Sequence, residues 1–291
     1  MGGHGVYQAY RRMHREEQTD HGAGYVIFYI WGDDHIRSLL RCRHAVTFKF
    51  WNDQDGRGFH GNFWANVEMD LETGNLVEKE SLITTRSALY NVTDPQFLVD
   101  HLRDDLALQL LAYKSGYIRD LDQDRLSKLA AWLNYPLDLS QESTRHQQVV
   151  ELLDKYSLRA TQFILEKVRD FCRQNNKKLV VLIFDPFRAM TEKHKVGTRY
   201  DKEIVDYLGK EKFAYFDMNE VHLQDFKRYN IPFDAYVKQF IVSGHYNPLG
   251  NHFFAYSIKD TIVKWLDPKP ITYRKPNPDY VDYKDYLLDR H

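Results

Sequence analysis

His245 is the residue of this sequence whose neighbours most suggest chemistry. It lies shortly after an apolar run at 240–242. The segment that follows it has apolar residues at helical spacing. Asn247 is a favoured N-cap and Pro248 a favoured first helical residue. We expect residues 236–242 to form a parallel strand that delivers His245 to a loop at the carboxyl end of a sheet, where open α/β folds place ligands and chemistry. A surface histidine in a turn is the alternative interpretation.

Three segments of the chain together resemble sequence blocks of the SGNH (GDSL-type) hydrolases. Residues 244–251 (GHYNPLGN) are similar to the last block of that family, in which the catalytic histidine precedes the final helix. Residues 25–34 (YVIFYIWGDD) are similar to its third block, a strand followed by Gly-x-Asn-Asp, and residues 2–10 (GGHGVYQAY) resemble its glycine-rich second block. The resemblance covers most of the chain except about 45–140.

The resemblance implies a flavodoxin-like three-layer α/β/α fold with a mostly parallel sheet and an inserted hairpin and helical region. It implies one domain over residues 1–267 and an extended tail over 268–291. The implied activity is hydrolysis or transfer of an ester acyl group, such as an O-acetyl on a sugar, without a cofactor or metal. His245 would be the base, and the backbone N–H of Gly3 and the side chain of Asp33 would be the oxyanion donors.

Two departures from the family bear on activity. The first block, a strand ending in Gly-Asp-Ser with the nucleophilic serine, is not found, and no Gly-x-Ser-x-Gly occurs either. Val242 and Ser243 occupy the positions where the family places the acid that orients the histidine. In addition, an ionised Asp33 accepts hydrogen bonds and donates none. We therefore expect a truncated domain that is inactive as it stands; a noncatalytic carbohydrate- or protein-binding module with the same fold is the alternative.

Other polar residues follow predicted strands and allow further interpretations. Asp33, Asp34 and His35 could bind a metal together with His245, but we expect Asp34 to cap the following turn and no metal to bind. Asp185 is expected to form a strand-to-loop turn, and Asp217 is a candidate for a displaced orienting acid. The pair Arg11-Arg12 is expected to lie on a solvated face.

Composition limits the classes of partner. The 40 Lys and Arg residues balance 41 Asp and Glu, so no net field favours nucleic acid. No apolar run reaches the roughly 18 residues of a membrane span, and Cys42 and Cys172 are expected to be buried free thiols. The 20 Tyr and 17 Phe residues are expected mainly in the core, with a sugar or acyl groove as the alternative. An unpaired strand edge at residues 25–30 would favour self-association.

The remaining pattern predicts an α/β unit with an insertion. Strands alternating with helices indicate a mostly parallel sheet with right-handed crossovers. A capping box of Thr144 and Gln147 is expected to begin a long helix that ends at Asn175 and Asn176. The other predicted elements are a helix at 7–18, a strand at 24–31 buried on both faces, hairpins within 46–79 with turns at 53–56 and 72–75, one or two helices within 94–135, strands at 179–184 and 213–216, and a helix at 201–208.

Overall fold

The computed structural model describes residues 4–19, 22–32, 34–42 and 63–266. The chain divides into two compact units, Met1–Val237 and Lys238–His291, and each is treated by itself. The described strands are β1 (Tyr25–Trp31), β2 (Asn66–Met69), β3 (Leu76–Lys79), β4 (Lys178–Phe184), β5 (Tyr215–Asp217), β6 (Ile241–Val242) and β7 (His245–Tyr246). The described α-helices are α1 (Val6–Glu16), α2 (Asp34–Arg37), α3 (Pro95–Leu102), α4 (Leu106–Lys114), α5 (Gln123–Trp132), α6 (Glu142–Gln174), α7 (Ala189–Val196), α8 (Lys202–Lys210), α9 (Met218–Phe226), α10 (Phe233–Phe240) and α11 (Pro248–Leu266).

A parallel sheet of three described strands, in the order β1-β4-β5, organises the first unit. The predicted mixed α/β class and parallel sheet are therefore confirmed. Ile30 and Ile183 are cross-strand partners and belong to the core cluster that includes α6. Phe184, on the opposite face by strand alternation, stacks on His222 of α9 with ring centroids 5.0 Å apart. Helices thus cover both faces of β4.

Burial separates the central strand from the edge strand. β4 is buried on both faces from Val180 to Phe184, as its apolar run predicts. β1 instead alternates, and Ile27 remains 49% exposed. The prediction that residues 24–31 are buried on both faces is therefore wrong. Among the described strands β1 pairs with β4 alone, and only one of its faces packs against the core cluster.

The 33-residue helix α6 provides much of the core of the first unit. It begins at Glu142, so the predicted capping box at Thr144 is wrong. Thr144 lies inside the first turn, where its hydroxyl donates to the carbonyl of Gln141 over 3.4 Å. The predicted end is confirmed: Asn175 is the C-cap, and Asn176 has a φ of 52° in the left-handed region that asparagine tolerates.

The described part of the inserted region contains a hairpin, a 3-10 helix (Ser87–Thr93) and three α-helices. The predicted turn at 72–75 is confirmed, since it joins the antiparallel strands β2 and β3 and Gly74 has a φ of 72°. The predicted turn at 53–56 lies outside the described residues. Helices α3, α4 and α5 fall where one or two were expected, each beginning at an aspartate whose side chain accepts a backbone N–H.

The predicted parallel strand at 236–242 is wrong. α10 extends to Phe240, and only Ile241–Val242 is extended, pairing antiparallel with His245–Tyr246. The buried residues Phe233, Tyr236 and Phe240 are spaced by three and four, so the apolar run also fits one face of a helix. Ser243 and Gly244, with φ of 46° and 83°, form the two-residue turn of this hairpin.

Two further expectations concern the whole chain. Cys42 and Cys172 are buried free thiols, as predicted. In the described ranges, no helix combines the length and apolar character that a membrane span requires.

Candidate functional site

His245 lies in the second unit, on a short hairpin directly before the last described helix. Its side chain is exposed, and its backbone pairs with Val242. The predicted cap of α11 is confirmed, because Asn247 Oδ1 accepts the N–H of Gly250 over 2.8 Å. The amide of the same side chain donates to the carbonyl of Gln239 over 2.7 Å. Asn247 therefore holds the end of α10 and the start of α11 together around the hairpin.

Gly250 has a steric role in the same structure. A Cβ at this position would lie 2.3 Å from the carbonyl oxygen of Phe240 and 2.3 Å from the ring of Tyr246. Only glycine allows this close approach of helix and hairpin. Gly250 thus fixes the position of β7, the strand that carries His245.

The other two predicted site residues, Gly3 and Asp33, lie outside the described residues, so their roles as oxyanion donors stay predictions. Ser243, at a position where the family places its orienting acid, forms the hairpin turn. Of the three predicted site residues, His245 is consequently the one whose structure is described.

Asp34 and His35 follow β1 but are turned into the protein. Asp34 Oδ2 accepts the N–H of Trp31 over 3.0 Å, and its other oxygen accepts from Arg37 over 3.0 Å. Asp34 therefore connects the end of β1 to the first turn of α2. His35 is buried, and its Nδ1 lies 2.8 Å from the hydroxyl of Thr161. That hydroxyl donates to a backbone carbonyl, so Nδ1 is the donor in this pair.

The contacts of Asp34 and His35 give the metal interpretation no support. Both carboxylate oxygens of Asp34 are used in protein contacts, and His35 faces α6. Among the residues that the structure describes, no group of three or more potential ligands is placed to hold a metal ion.

Asp185 directly follows β4 and forms the predicted strand-to-loop turn. Its Oδ1 accepts the N–H groups of Phe187 and Arg188 over 3.0 and 2.9 Å. Its Oδ2 accepts the hydroxyl of Tyr200 over 3.1 Å. Burial, together with the negative charge of Asp185, raises the pKa of Tyr200 well above its ordinary value. Tyr200 therefore remains a neutral donor to this carboxylate at physiological pH.

Asp217 ends β5 and is engaged in the same manner. Its Oδ1 accepts the backbone and side-chain N–H groups of Asn219 over 3.0 and 2.9 Å, which caps α9. Its Oδ2 pairs with the buried guanidinium of Arg199, which also forms a two-bond pair with Asp201. Burial raises the pKa of Asp217, and the charge of Arg199 opposes that shift. These contacts do not favour Asp217 as a displaced orienting acid for a histidine.

Arg188 is a further charged residue near this edge of the sheet. Its guanidinium forms a two-bond pair with Asp154 over 2.8 and 2.6 Å, and its Nε donates to Glu192. The same group lies 4.0 Å from the ring centroid of Tyr200. Sequence reasoning did not find Arg199 or Tyr200, because their partners are brought together only by the sheet. These contacts give the carboxylates of Asp154, Asp185, Asp201 and Asp217 partners within the protein.

Fold and site define a mixed α/β protein with a parallel sheet and a separate hairpin that presents a histidine. Comparison of the chain with protein-family models, curated proteins and solved structures finds no match. The likeness to the SGNH hydrolases therefore rests on the three sequence blocks.

Proposed function

We propose that this chain is a domain of the SGNH ester hydrolase or O-acyl transferase class, in which His245 is the general base. One observation carries the proposal: the segment GHYNPLGN forms a compact unit in which each key residue has a defined task. Asn247 caps α11, Gly250 permits close packing, and the exposed His245 is presented immediately before the helix.

The arrangement of the sheet gives further support. The strands β1, β4 and β5 are parallel neighbours in chain order, and helices lie against both faces of β4. Such an order suits a flavodoxin-like three-layer fold, in which ligands bind beyond the carboxyl ends of the strands. The flavodoxin-like topology is thus part of the proposal, whereas the mixed α/β class is an observation.

The chemistry assigned to His245 is proton transfer. A general base takes the proton from a hydroxyl as its oxygen attacks the ester carbonyl, and then returns a proton to the leaving alcohol. The backbone N–H of Gly3 and the side chain of Asp33, which donates only when it is protonated, are the proposed oxyanion donors. No serine of the chain lies in a Gly-Asp-Ser or Gly-x-Ser-x-Gly sequence. The proposal therefore gives the chain a base without a matching nucleophile and predicts no ester turnover by these 291 residues alone.

Hydrolysis of p-nitrophenyl acetate tests this part of the proposal. Purified residues 1–291 should release p-nitrophenol at the rate of the His245→Ala variant. His252→Ala is the matched control, since His252 is another exposed histidine, located on α11. A burst of product that disappears in His245→Ala and persists in His252→Ala would show that the chain contains a nucleophile, and the proposal as stated would be wrong.

A noncatalytic binding module is the second candidate, and the polar groups at the sheet edge favour it. Asp185 and Asp217 hold turns and helix caps and are not positioned to orient a base. Isothermal titration with O-acetylated and deacetylated xylan oligosaccharides separates the candidates. Binding that His245→Ala leaves unchanged, without hydrolysis in any extended form of the protein, would select the binding module.

A further inference from the structure

A large cleft lies in the first unit, between α1 and two segments beside the β2–β3 hairpin. It has a volume of about 980 Å³ and includes Phe63, Trp64 and Ser81 on one side. The basic residues of α1 line the other side. Its volume reaches the upper part of the range of about 300–1,000 Å³ that is typical of small-molecule sites.

The charges in the cleft are unequal once the ion pairs are assigned. Arg11 forms a two-bond pair with Glu80, and Arg15 pairs with Glu16 over 2.7 Å. Glu80 and Glu16 are the two carboxylates among the described residues that line the cleft. Arg12 is exposed and has no ion-pair partner in the described part of the chain. The cleft therefore presents one uncompensated guanidinium, a group that binds carboxylates and phosphates through two parallel hydrogen bonds.

His4 brings no negative charge to the cleft and therefore does not pair with Arg12. His4 also lines the cleft, and burial, together with positive charges that include Arg12, lowers its pKa. At neutral pH His4 is therefore an uncharged imidazole that can donate or accept a hydrogen bond. Its ring lies edge-to-face with Trp64, with centroids 5.2 Å apart and an interplanar angle of 82°. This contact fixes an indole in the wall of the cleft.

We propose that this cleft binds an anionic saccharide, with Arg12 on its carboxylate or phosphate group and Trp64 against its sugar ring. The cleft is far larger than a single inorganic anion needs, so most of its volume must accommodate the uncharged part of a ligand. An aromatic ring provides a large rigid contact area for the apolar face of a sugar. The wall also carries polar groups, as saccharide hydroxyls require. This inference does not depend on the ester-cleaving role of His245.

Titration calorimetry of the full chain tests the inference. The probes are trigalacturonic acid, glucose 6-phosphate and the neutral sugar galactotriose. At least one of the two anionic sugars should bind, and the tighter one identifies the anion that the cleft prefers. Galactotriose should bind at least 10-fold more weakly, because it leaves Arg12 without a partner. Failure of both anionic sugars to bind at 10 mM, or equal binding of galactotriose, would overturn the proposal.

Two variants locate the binding site. Arg12→Gln should weaken binding of the preferred anionic sugar about 10-fold or more without unfolding the protein, since Arg12 is exposed. Arg119→Gln is the matched control, because Arg119 is also exposed and is not a cleft residue. Trp64→Leu should weaken binding of both anionic sugars and should remove any tryptophan fluorescence change on binding. Unchanged affinity in Arg12→Gln, or an equal loss in Arg119→Gln, would place the binding site elsewhere and refute the assignment.

Discussion

Replacing Arg199 by methionine should strongly destabilise the first unit. The side chain of Arg199 is 5% exposed, and those of its partners Asp201 and Asp217 are 5% and 8% exposed. Methionine preserves much of the side-chain volume but leaves two buried carboxylates without their cation. Removal of one partner from a buried ion pair typically costs about 3–5 kcal/mol. Lys202→Met is the control, because Lys202 and Asp206 are 64% and 60% exposed, and exposed pairs contribute about 0–1 kcal/mol.

Urea unfolding followed by circular dichroism measures the difference. With a denaturant slope of about 3 kcal/mol per molar, the Arg199→Met midpoint should fall by roughly 1 M or more. The Lys202→Met midpoint should move by at most about 0.3 M on the same slope. Because the cost comes from stranded carboxylates, adding Asp201→Asn and Asp217→Asn to Arg199→Met should recover part of the loss. Equal midpoints for Arg199→Met and Lys202→Met would refute the reasoning.

Three further predictions address other residues. Burial lowers the pKa of His222 in the folded protein to about 3, whereas its unfolded value is about 6.5. The stabilisation by the neutral ring is therefore complete above pH 6.5 and is lost as the pH falls. Urea unfolding at pH 6.5 and pH 5 should therefore show that the free energy of unfolding falls less in His222→Asn than in the original protein, by at most about 1.4 kcal/mol per pH unit. An equal fall in the two proteins would contradict this. Gly5→Ala should lower the free energy of unfolding by about 1–3 kcal/mol in thermal unfolding, because the added Cβ would lie 2.6 Å from a backbone nitrogen. Gly24→Ala is the control and should be neutral, since its Cβ would have nothing within 4 Å. Equal losses would contradict the described packing of α1. Gly250→Ala should shift the NMR signals of the His245 ring because helix and hairpin must separate, and an unchanged spectrum would disprove that coupling.

Elements with a single strong periodicity could be predicted from the sequence. β4 consists of consecutive apolar residues, and α6 repeats apolar residues over many turns, so both were located to within a few residues. The pattern at 233–242 is ambiguous because its apolar residues suit both a buried strand and one face of a helix. Left-handed conformations at Ser243 and Gly244 then produced a hairpin where a parallel strand was expected.

The candidate site was only partly predictable for a different reason. His245, Asn247 and Gly250 interact within a few residues of one another, so their spacing carries the signal. The pairing of Arg199 with Asp217 joins a residue before α8 to the last residue of β5 and depends on where the sheet places that strand. No local pattern marks such a pair, so an aspartate at a strand end resembles a free acid until the sheet is known.

The most direct test of the proposed function is to restore the nucleophile. The genomic DNA immediately upstream of the Met1 codon should encode a strand ending in Gly-Asp-Ser, and the protein extended through that segment should hydrolyse p-nitrophenyl acetate. His245→Ala should lower the rate of the extended protein by about 100-fold or more, in line with the usual effect of general-base catalysis, and His252→Ala should leave it unchanged. Upstream DNA without such a segment, or a folded extended protein whose activity does not depend on His245, would contradict the proposal.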